Sequence, residues 1–149
     1  VGQNAGKTEE AINFYANIFD KNKIVAISRY EEGEPDQTGF IKYSQFELQG
    51  LPFGAMDSSA NHQFNFNEAV SFVITVDTQD EIDHYWNKLL EGGKAGKCGW
   101  IKDKYGISWQ VVPSILGKMM TNPETAPKAT YAFLQMSKFI IADLEAAVK

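Results

Sequence analysis

The chain has 149 residues, of which 44% are hydrophobic and 13% aromatic, and its formal net charge is −5. This length fits one globular domain with a sizeable core, and an acidic chain without a basic stripe disfavours nucleic acid as a partner. No apolar run approaches the roughly 18 residues of a membrane helix and no signal peptide is recognisable, so we expect no membrane partner. The single cysteine, Cys98, excludes an internal disulfide and is typical of a cytoplasmic protein.

The chain begins with VGQNAGKT, which comes close to the phosphate-binding Walker A pattern G-x-x-x-x-G-K-[ST]. Gly6, Lys7 and Thr8 stand in the required order, but Val1 stands where the first glycine belongs. The alternative is that Thr8 caps an ordinary helix whose first turn holds two glutamates, because the helix dipole favours carboxylates there.

Two segments have the apolar periodicity of amphipathic helices. Thr78 and Glu81 form a capping box at the start of the second one. The two segments match at a constant offset of 70, which pairs Thr8 with Thr78. No phosphate-binding loop precedes Thr78, so we interpret Thr8 as a helix cap in a duplicated module. The two apolar faces comprise Ala11, Ile12, Tyr15, Ile18 and Phe19, and Ile82, Tyr85, Trp86, Leu89 and Leu90.

Strand-like stretches follow each helix, and one precedes the second helix. Tight turns at Gln49-Gly50 and Tyr105-Gly106 each join two of these stretches, as hairpins require. The module is therefore strand, helix and a run of strands, and symmetry predicts a further strand ahead of Thr8, upstream or cut off. The strands are predicted over 24–30, 40–48 and 51–57, and over 69–76, 97–102 and 108–112.

The remainder of the chain is predicted to be helical. Helices are expected over 114–121, roughly 127–137 and 141–148, and the apolar stripe of the middle helix is expected to pack on the core. We therefore predict one domain over residues 1–149, with a first module at 1–60, a second at 66–113 and a helical extension at 114–149.

Several segments resemble the vicinal oxygen chelate (glyoxalase/bleomycin-resistance) superfamily, and more closely its PhnB-like branch. The resemblance implies an α+β fold in which two tandem β-α-β-β-β modules form a curved mixed or antiparallel sheet with a cleft. Members of this branch are often labelled 3-demethylubiquinone-9 3-methyltransferase-like, yet the glycine-rich turn that would hold a methyl-donor cofactor is not visible. The segments are AINFYANIF (11–19), FELQGLPFGAMD (46–57), FNEAVSFVI (66–74), YWNKLLEGG (85–93), CGWIKDKYGISWQVVP (98–113) and FLQMSKFIIADLEAA (133–147).

The resemblance also implies a divalent metal in the cleft, held by His, Glu or Gln from the first and last strands of each module. Gln110 stands where metal-dependent relatives have a carboxylate, Ser71 stands where they have a His, and Asp57 stands near another ligand position. Neutral Gln and Ser oxygens hold a transition metal poorly, so we predict no tightly bound metal and no cofactor. His62 and His84 are expected to be surface residues.

Alternation along the last strand puts Ser108, Gln110 and Val112 on one face, and the resemblance implies that this face lines the cleft together with Ser71, Trp100 and Met56. Cys98 is expected to lie on the same strand as Lys102. Because no histidine is placed to act as its base, we expect it to be a buried structural residue and not a nucleophile. The predicted ligand-binding residues are Gln110, Ser71, Trp100, Met56 and Asp57.

The favoured hypothesis is a cytoplasmic homodimer that binds a small organic ligand in a strand-lined cleft. The alternative is a metal-dependent lyase, isomerase or dioxygenase, with Gln110 and a residue upstream of Val1 as ligands. A methyltransferase, as the family label suggests, is the weakest of the three. Neither the ligand nor the occurrence of any reaction follows from the sequence.

Overall fold

The structure is a computed structural model, and residues 2–149 are described. The chain divides into two compact units, one ending at Asn65 and the other comprising Phe66–Lys149. Each unit combines helices with a sheet of its own, so the predicted α+β class is confirmed. Among residues 2–149, no helix is both long and apolar enough to cross a membrane.

The first unit packs one helix on a three-stranded antiparallel sheet. Its elements are α1 (Thr8–Ala16), β1 (Asn22–Arg29), β2 (Ile41–Leu48) and β3 (Leu51–Ala55), and the strand order is β1-β2-β3. A short 3₁₀ helix, Gly2–Asn4, precedes α1, so the strand expected from symmetry does not lie within residues 2–7. The buried side chains include Ile12, Tyr15, Ile18, Phe19, Ile41, Phe46 and Leu48.

The predicted turn at Gln49-Gly50 is confirmed. Leu48 pairs directly with Leu51, which leaves a loop of two residues between β2 and β3. Gln49 has φ 52° and Gly50 has φ 79°. Two successive positive φ values define the primed turn that matches the twist of a hairpin, and glycine adopts that conformation without a steric cost.

The second unit contains one complete β-α-β-β-β module. Its elements are β4 (Phe72–Val76), α2 (Gln79–Leu90), β5 (Lys94–Ala95), β6 (Trp100–Lys102) and β7 (Ser108–Pro113). The strand order is β4-β7-β6-β5, with β4 parallel to β7 and the other pairs antiparallel. The helix begins at the predicted capping box, and it buries Ile82, Trp86 and Leu89.

Some predicted strand boundaries in this unit are wrong. The strand expected over 97–102 begins only at Trp100, because Cys98 (φ 53°) and Gly99 (φ 81°) have left-handed backbone conformations that interrupt a strand. The strand expected from residue 69 begins at Phe72, and the short β5 was not predicted. The turn before β7 is larger than Tyr105-Gly106: the Gly106 N–H donates to the Asp103 carbonyl at 3.0 Å.

The last three helices belong to the second unit, and they are α3 (Ser114–Thr121), α4 (Ala126–Leu134) and α5 (Ile141–Val148). The segment between α4 and α5 is joined to the loop before β6, where Cys98 and Gly99 donate to the carbonyls of Met136 and Ser137. A side chain at Gly99 would clash with Phe139, since an added Cβ would lie 2.6 Å from the ring. Ala129 of the predicted stripe is fully buried, whereas Phe133 and Met136 are half-buried.

Candidate functional site

The loop that resembles a phosphate-binding loop already holds an anion, the carboxylate of Asp57. The Asp57 Oδ1 atom accepts hydrogen bonds from the Gly6 N–H (2.9 Å), the Thr8 hydroxyl (2.7 Å) and the Thr8 N–H (3.3 Å). The Oδ2 atom accepts one from the Ile41 N–H (3.0 Å), and Asp57 is only 3% exposed. The glycine-containing loop and the helix N-terminus therefore bind a side chain of the same unit.

The prediction that Thr8 is the N-cap of α1 is wrong. Thr8 is the first helical residue, Lys7 occupies the cap position, and no cap side chain bonds to the helix. The hydroxyl of Thr8 instead donates to Asp57, so a carboxylate from after β3 satisfies the start of α1. Val1, where the Walker pattern departs, lies outside the described residues.

Two of the predicted ligand-binding residues, Met56 and Asp57, lie in the first unit directly after β3. The Asp57 oxygens are engaged in the bonds that organise the α1 start, and we therefore leave Asp57 out of the proposed ligand contacts. The Met56 side chain is 62% exposed.

The other three candidates come together in the second unit. The Gln110 Nε2 atom donates to the Ser71 Oγ atom at 2.9 Å. Trp100 lies directly opposite Gln110 in the β6–β7 ladder, and Val73 is its partner in the β4–β7 ladder. Because partner residues in a ladder project to the same side of a sheet, these side chains share one surface. We define the Gln110 face as Val73, Trp100, Lys102, Ser108, Gln110 and Val112.

The opposite face of this sheet is core. Ile101, Trp109 and Val111 are each at most 4% exposed, whereas Gln110 and Val112 are half-buried, as the predicted alternation requires. The buried carboxylate of Asp103 accepts from the Trp109 indole N–H at 2.8 Å and from backbone N–H groups of the β6–β7 loop. This network fixes the hairpin, and it thereby holds the Gln110 face in register.

The polar end of the Gln110 face consists of Lys102 and Ser108, which are opposite each other in the ladder. Ser108 is 2% exposed, and its hydroxyl is the buried side-chain group without a hydrogen-bond partner among residues 2–149. The Lys102 Nζ atom forms an ion pair with the carboxylate of Glu68. The hydrogen bond from Lys102 lowers the pKa of Glu68 below its usual value, so this carboxylate is ionised at neutral pH.

Both histidines lie outside the Gln110 face. His84 is exposed on α2, and its ring meets the Tyr85 ring edge-on. His62 is half-buried, and its Nε2 atom lies 3.0 Å from the Ser58 hydroxyl.

The expectation for Cys98 is wrong in two respects. It is half-buried, and it lies in the loop before β6 instead of on the strand. Its thiol donates to the Phe133 carbonyl at 3.6 Å, a contact that joins the loop to α4.

The residues of the Gln110 face do not fit a divalent metal. Together with Ser71 they supply one amide, two hydroxyls and one ammonium group, and the nearby Glu68 carboxylate is paired with that ammonium. Within residues 2–149, no three His, Cys, Asp or Glu side chains lie close enough together to hold a metal ion.

A methyl-donor cofactor does not fit the parallel strand–helix turn either. The turn from β4 to α2 contains no glycine, and the Glu81 carboxylate already accepts from the N–H groups of Asp77 and Thr78.

Sequence reasoning named Gln110, Ser71 and Trp100 as candidates, and it did not name Lys102 or Glu68, which lie at the charged end of the same face. Alternation placed Ser108 beside Gln110, and the pairing of β6 with β7 then implies Lys102 opposite Ser108. Glu68 carries no sequence signal, because its approach to Lys102 depends on the path of the irregular segment before β4.

Comparison with known proteins identifies the family. Residues 4–112 match the family model described as 3-demethylubiquinone-9 3-methyltransferase. The solved structure of a PhnB protein from Bacillus cereus is 40% identical, with 74% of this chain and 93% of that chain covered and a TM-score of 0.70. A solved structure from Pseudomonas aeruginosa is 20% identical, covers 73% of this chain and 90% of its own, and has a TM-score of 0.62, which shows a likeness of fold. No curated protein matches the chain. The chain therefore belongs to the PhnB-like family, whose model carries the description 3-demethylubiquinone-9 3-methyltransferase.

Proposed function

We propose that this protein binds a small organic ligand on the Gln110 face, without a tightly bound metal. The observation that carries the proposal is the hydrogen bond from Gln110 to Ser71 on a surface that also presents Trp100. Small-molecule sites combine an apolar or aromatic wall with a few fixed polar groups, and this face has both components.

The hydrogen bond between Gln110 and Ser71 determines which of their atoms can donate to a ligand and which can accept from it. Because the Gln110 Nε2 atom donates to Ser71, the Oε1 atom of the same amide is the acceptor available to a ligand. The Ser71 hydroxyl can in turn donate its proton. An acceptor and a donor held side by side next to an indole ring suit a planar organic molecule with a carbonyl and a hydroxyl or amide group.

Binding is tested with a set of small aromatic acids, amides and alcohols, screened by ligand-observed NMR. We expect hits whose binding weakens about fivefold in Gln110→Ala, the loss of roughly one net hydrogen bond. The matched control is Gln135→Ala at an exposed position after α4, which should bind as the wild type does. If no compound binds, or if both variants lose binding equally, the proposal is wrong.

The metal part of the proposal has a separate test. We expect elemental analysis of protein purified without chelator to find no stoichiometric nickel, zinc, manganese or iron. Near-stoichiometric metal would overturn this part, and it would favour the metal-dependent lyase, isomerase or dioxygenase alternative. The homodimer expected from the resemblance stays a prediction, which light scattering in solution tests directly.

A further inference from the structure

The segment that precedes β4 contacts residues at one end of the Gln110 face. We call residues 66–71 the strap. Phe66 lies beside the β6–β7 loop, where an added Cβ on Gly106 would be 3.9 Å from the Phe66 Cβ atom. Glu68 pairs with Lys102 of β6, and Ser71 bonds to Gln110 of β7. Since β7 lies between β4 and β6, the strap runs from the β4 side of β7 to contacts with β6 and with the loop that follows β6.

The hydroxyl of Ser108 is buried and lacks a hydrogen-bond partner at the end of the sheet where Glu68 of the strap pairs with Lys102. A buried hydroxyl without a partner is unfavourable, and Ser108 is next to the cationic Lys102, whose partner is a carboxylate of the strap. Lys102 and Ser108 are partners in the β6–β7 ladder, and an ammonium and an unused hydroxyl donor are the groups that bind an oxyanion. In this structure Glu68 supplies a carboxylate to the ammonium and leaves the hydroxyl unpaired.

The strap is weakly held. Residues 66–70 are all exposed, so moving them uncovers few buried contacts. The side chains of Lys102 and Glu68 are 38% and 59% exposed, and ion pairs of that exposure contribute little to stability. An external carboxylate can therefore compete with Glu68 for Lys102.

We infer that the ligand of the Gln110 face carries a carboxylate, and that this carboxylate replaces Glu68 on Lys102 while residues 66–70 of the strap move aside and Ser71 stays in place. This inference rests on the proposed function. The carboxylate accepts from the Lys102 Nζ atom and from the Ser108 hydroxyl, which thereby gains its partner. The body of the ligand lies over Trp100 and Gln110, which form the adjacent row of the ladder. The ligand class is thus a small aromatic or apolar organic acid, and Glu68 is a built-in competitor for its site.

The test compares phenylacetate with phenylacetamide, two probes of the same shape that differ in charge, by calorimetric titration. Glu68→Gln removes the internal competitor, so it should bind phenylacetate up to about fivefold more tightly than the wild type and leave phenylacetamide unchanged. Lys102→Gln should abolish the preference for the acid, and Lys102→Arg should retain it. In NMR spectra of Glu68→Gln, phenylacetate should shift the signals of Lys102 and Ser108.

The matched control is Glu91→Gln, because Glu91 also pairs with a lysine of the second unit, Lys88 at 3.2 Å. This variant should bind both probes as the wild type does. Equal binding of both probes, unchanged by Glu68→Gln, would overturn the inference and leave the proposed function standing. Binding of neither probe to Glu68→Gln would also overturn it, and the proposed function would fall only if the wider compound set found no ligand.

Discussion

The two amphipathic helices begin in similar sequences but are completed by different carboxylates. At the start of α2, Thr78 accepts from the Glu81 N–H at 3.2 Å, and the Glu81 carboxylate bonds back to the Thr78 N–H at 2.9 Å. At the start of α1, Thr8 is already helical and donates to Asp57, which is 49 residues away. The start of α2 is therefore capped by a residue of its own first turn. The start of α1 is capped by Asp57, which follows the last strand of its sheet.

This difference shows what a repeated sequence pattern can and cannot predict. The capping box needs two side chains three residues apart, so its geometry follows from local spacing alone. The Asp57 contact requires β2 and β3 to pair, because that pairing places Asp57 beside Ile41 and the α1 start. The loop that resembles the Walker A pattern thus binds an anion, and that anion is the Asp57 side chain of the same unit.

The largest expected effect comes from breaking the long-range cap. Asp57→Ala leaves the Gly6 and Ile41 N–H groups without their acceptor, so we expect the free energy of unfolding to fall by about 3 kcal/mol. Asp57→Asn should lose less, because its remaining carbonyl oxygen can serve one side of the site. Urea unfolding followed by circular dichroism measures both variants. A loss below about 1 kcal/mol for Asp57→Ala would mean that the contact does not organise α1.

Removing the capping box of α2 should lower the free energy of unfolding by less than removing the Asp57 contact. Thr78→Ala removes the acceptor of the Glu81 N–H, so we expect a loss of about 1 kcal/mol. Thr78→Ser retains the hydroxyl, and it should remain close to the wild type. Amide hydrogen exchange in the first turn of α2 reports the change locally. Unchanged exchange in Thr78→Ala would contradict the capping role.

The smallest expected effect is the pH dependence of the local cap. Hydrogen bonds from the Thr78 hydroxyl and then from backbone N–H groups lower the pKa of Glu81 below its ordinary value of 4.5. A carboxylate that is more acidic in the folded chain stabilises the fold above that ordinary value and loses this contribution as the pH falls through its folded pKa. The melting temperature of the wild type should exceed that of Glu81→Gln at about pH 7, and the difference should shrink as the pH falls below 4.5 and through the folded-state pKa. A difference that persists in acid would show that the charge is not responsible.

Much of the fold could be predicted from local patterns. The α2 capping box, the Gln49-Gly50 hairpin and the helices over 114–121 and 141–148 are all present where the sequence placed them. The strand expected over 97–102 failed at its start, because the left-handed backbone at Cys98 and Gly99 is stabilised by hydrogen bonds to the segment after α4. Those bonds join residues that are far apart in the sequence.

The candidate site also has one part that local sequence patterns predict and another that depends on the tertiary structure. Alternation along β7 placed Gln110 on the face opposite Trp109, because side chains in a strand alternate with a period of two. The Gln110–Ser71 bond, the ion pair between Lys102 and Glu68, and the unpaired hydroxyl of Ser108 depend on strand order and on the path of the strap.

The sequence by itself determined the helices, the hairpin turn and the face on which each strand residue lies, because periodicity, capping and turn chemistry act over a few neighbouring residues. Only the tertiary structure decided which carboxylate closes α1 and which one neutralises Lys102. Charge–charge and hydrogen-bonding partners are chosen by distance in space, and that distance is set by sheet pairing and by irregular segments such as the strap, which have no periodic sequence pattern.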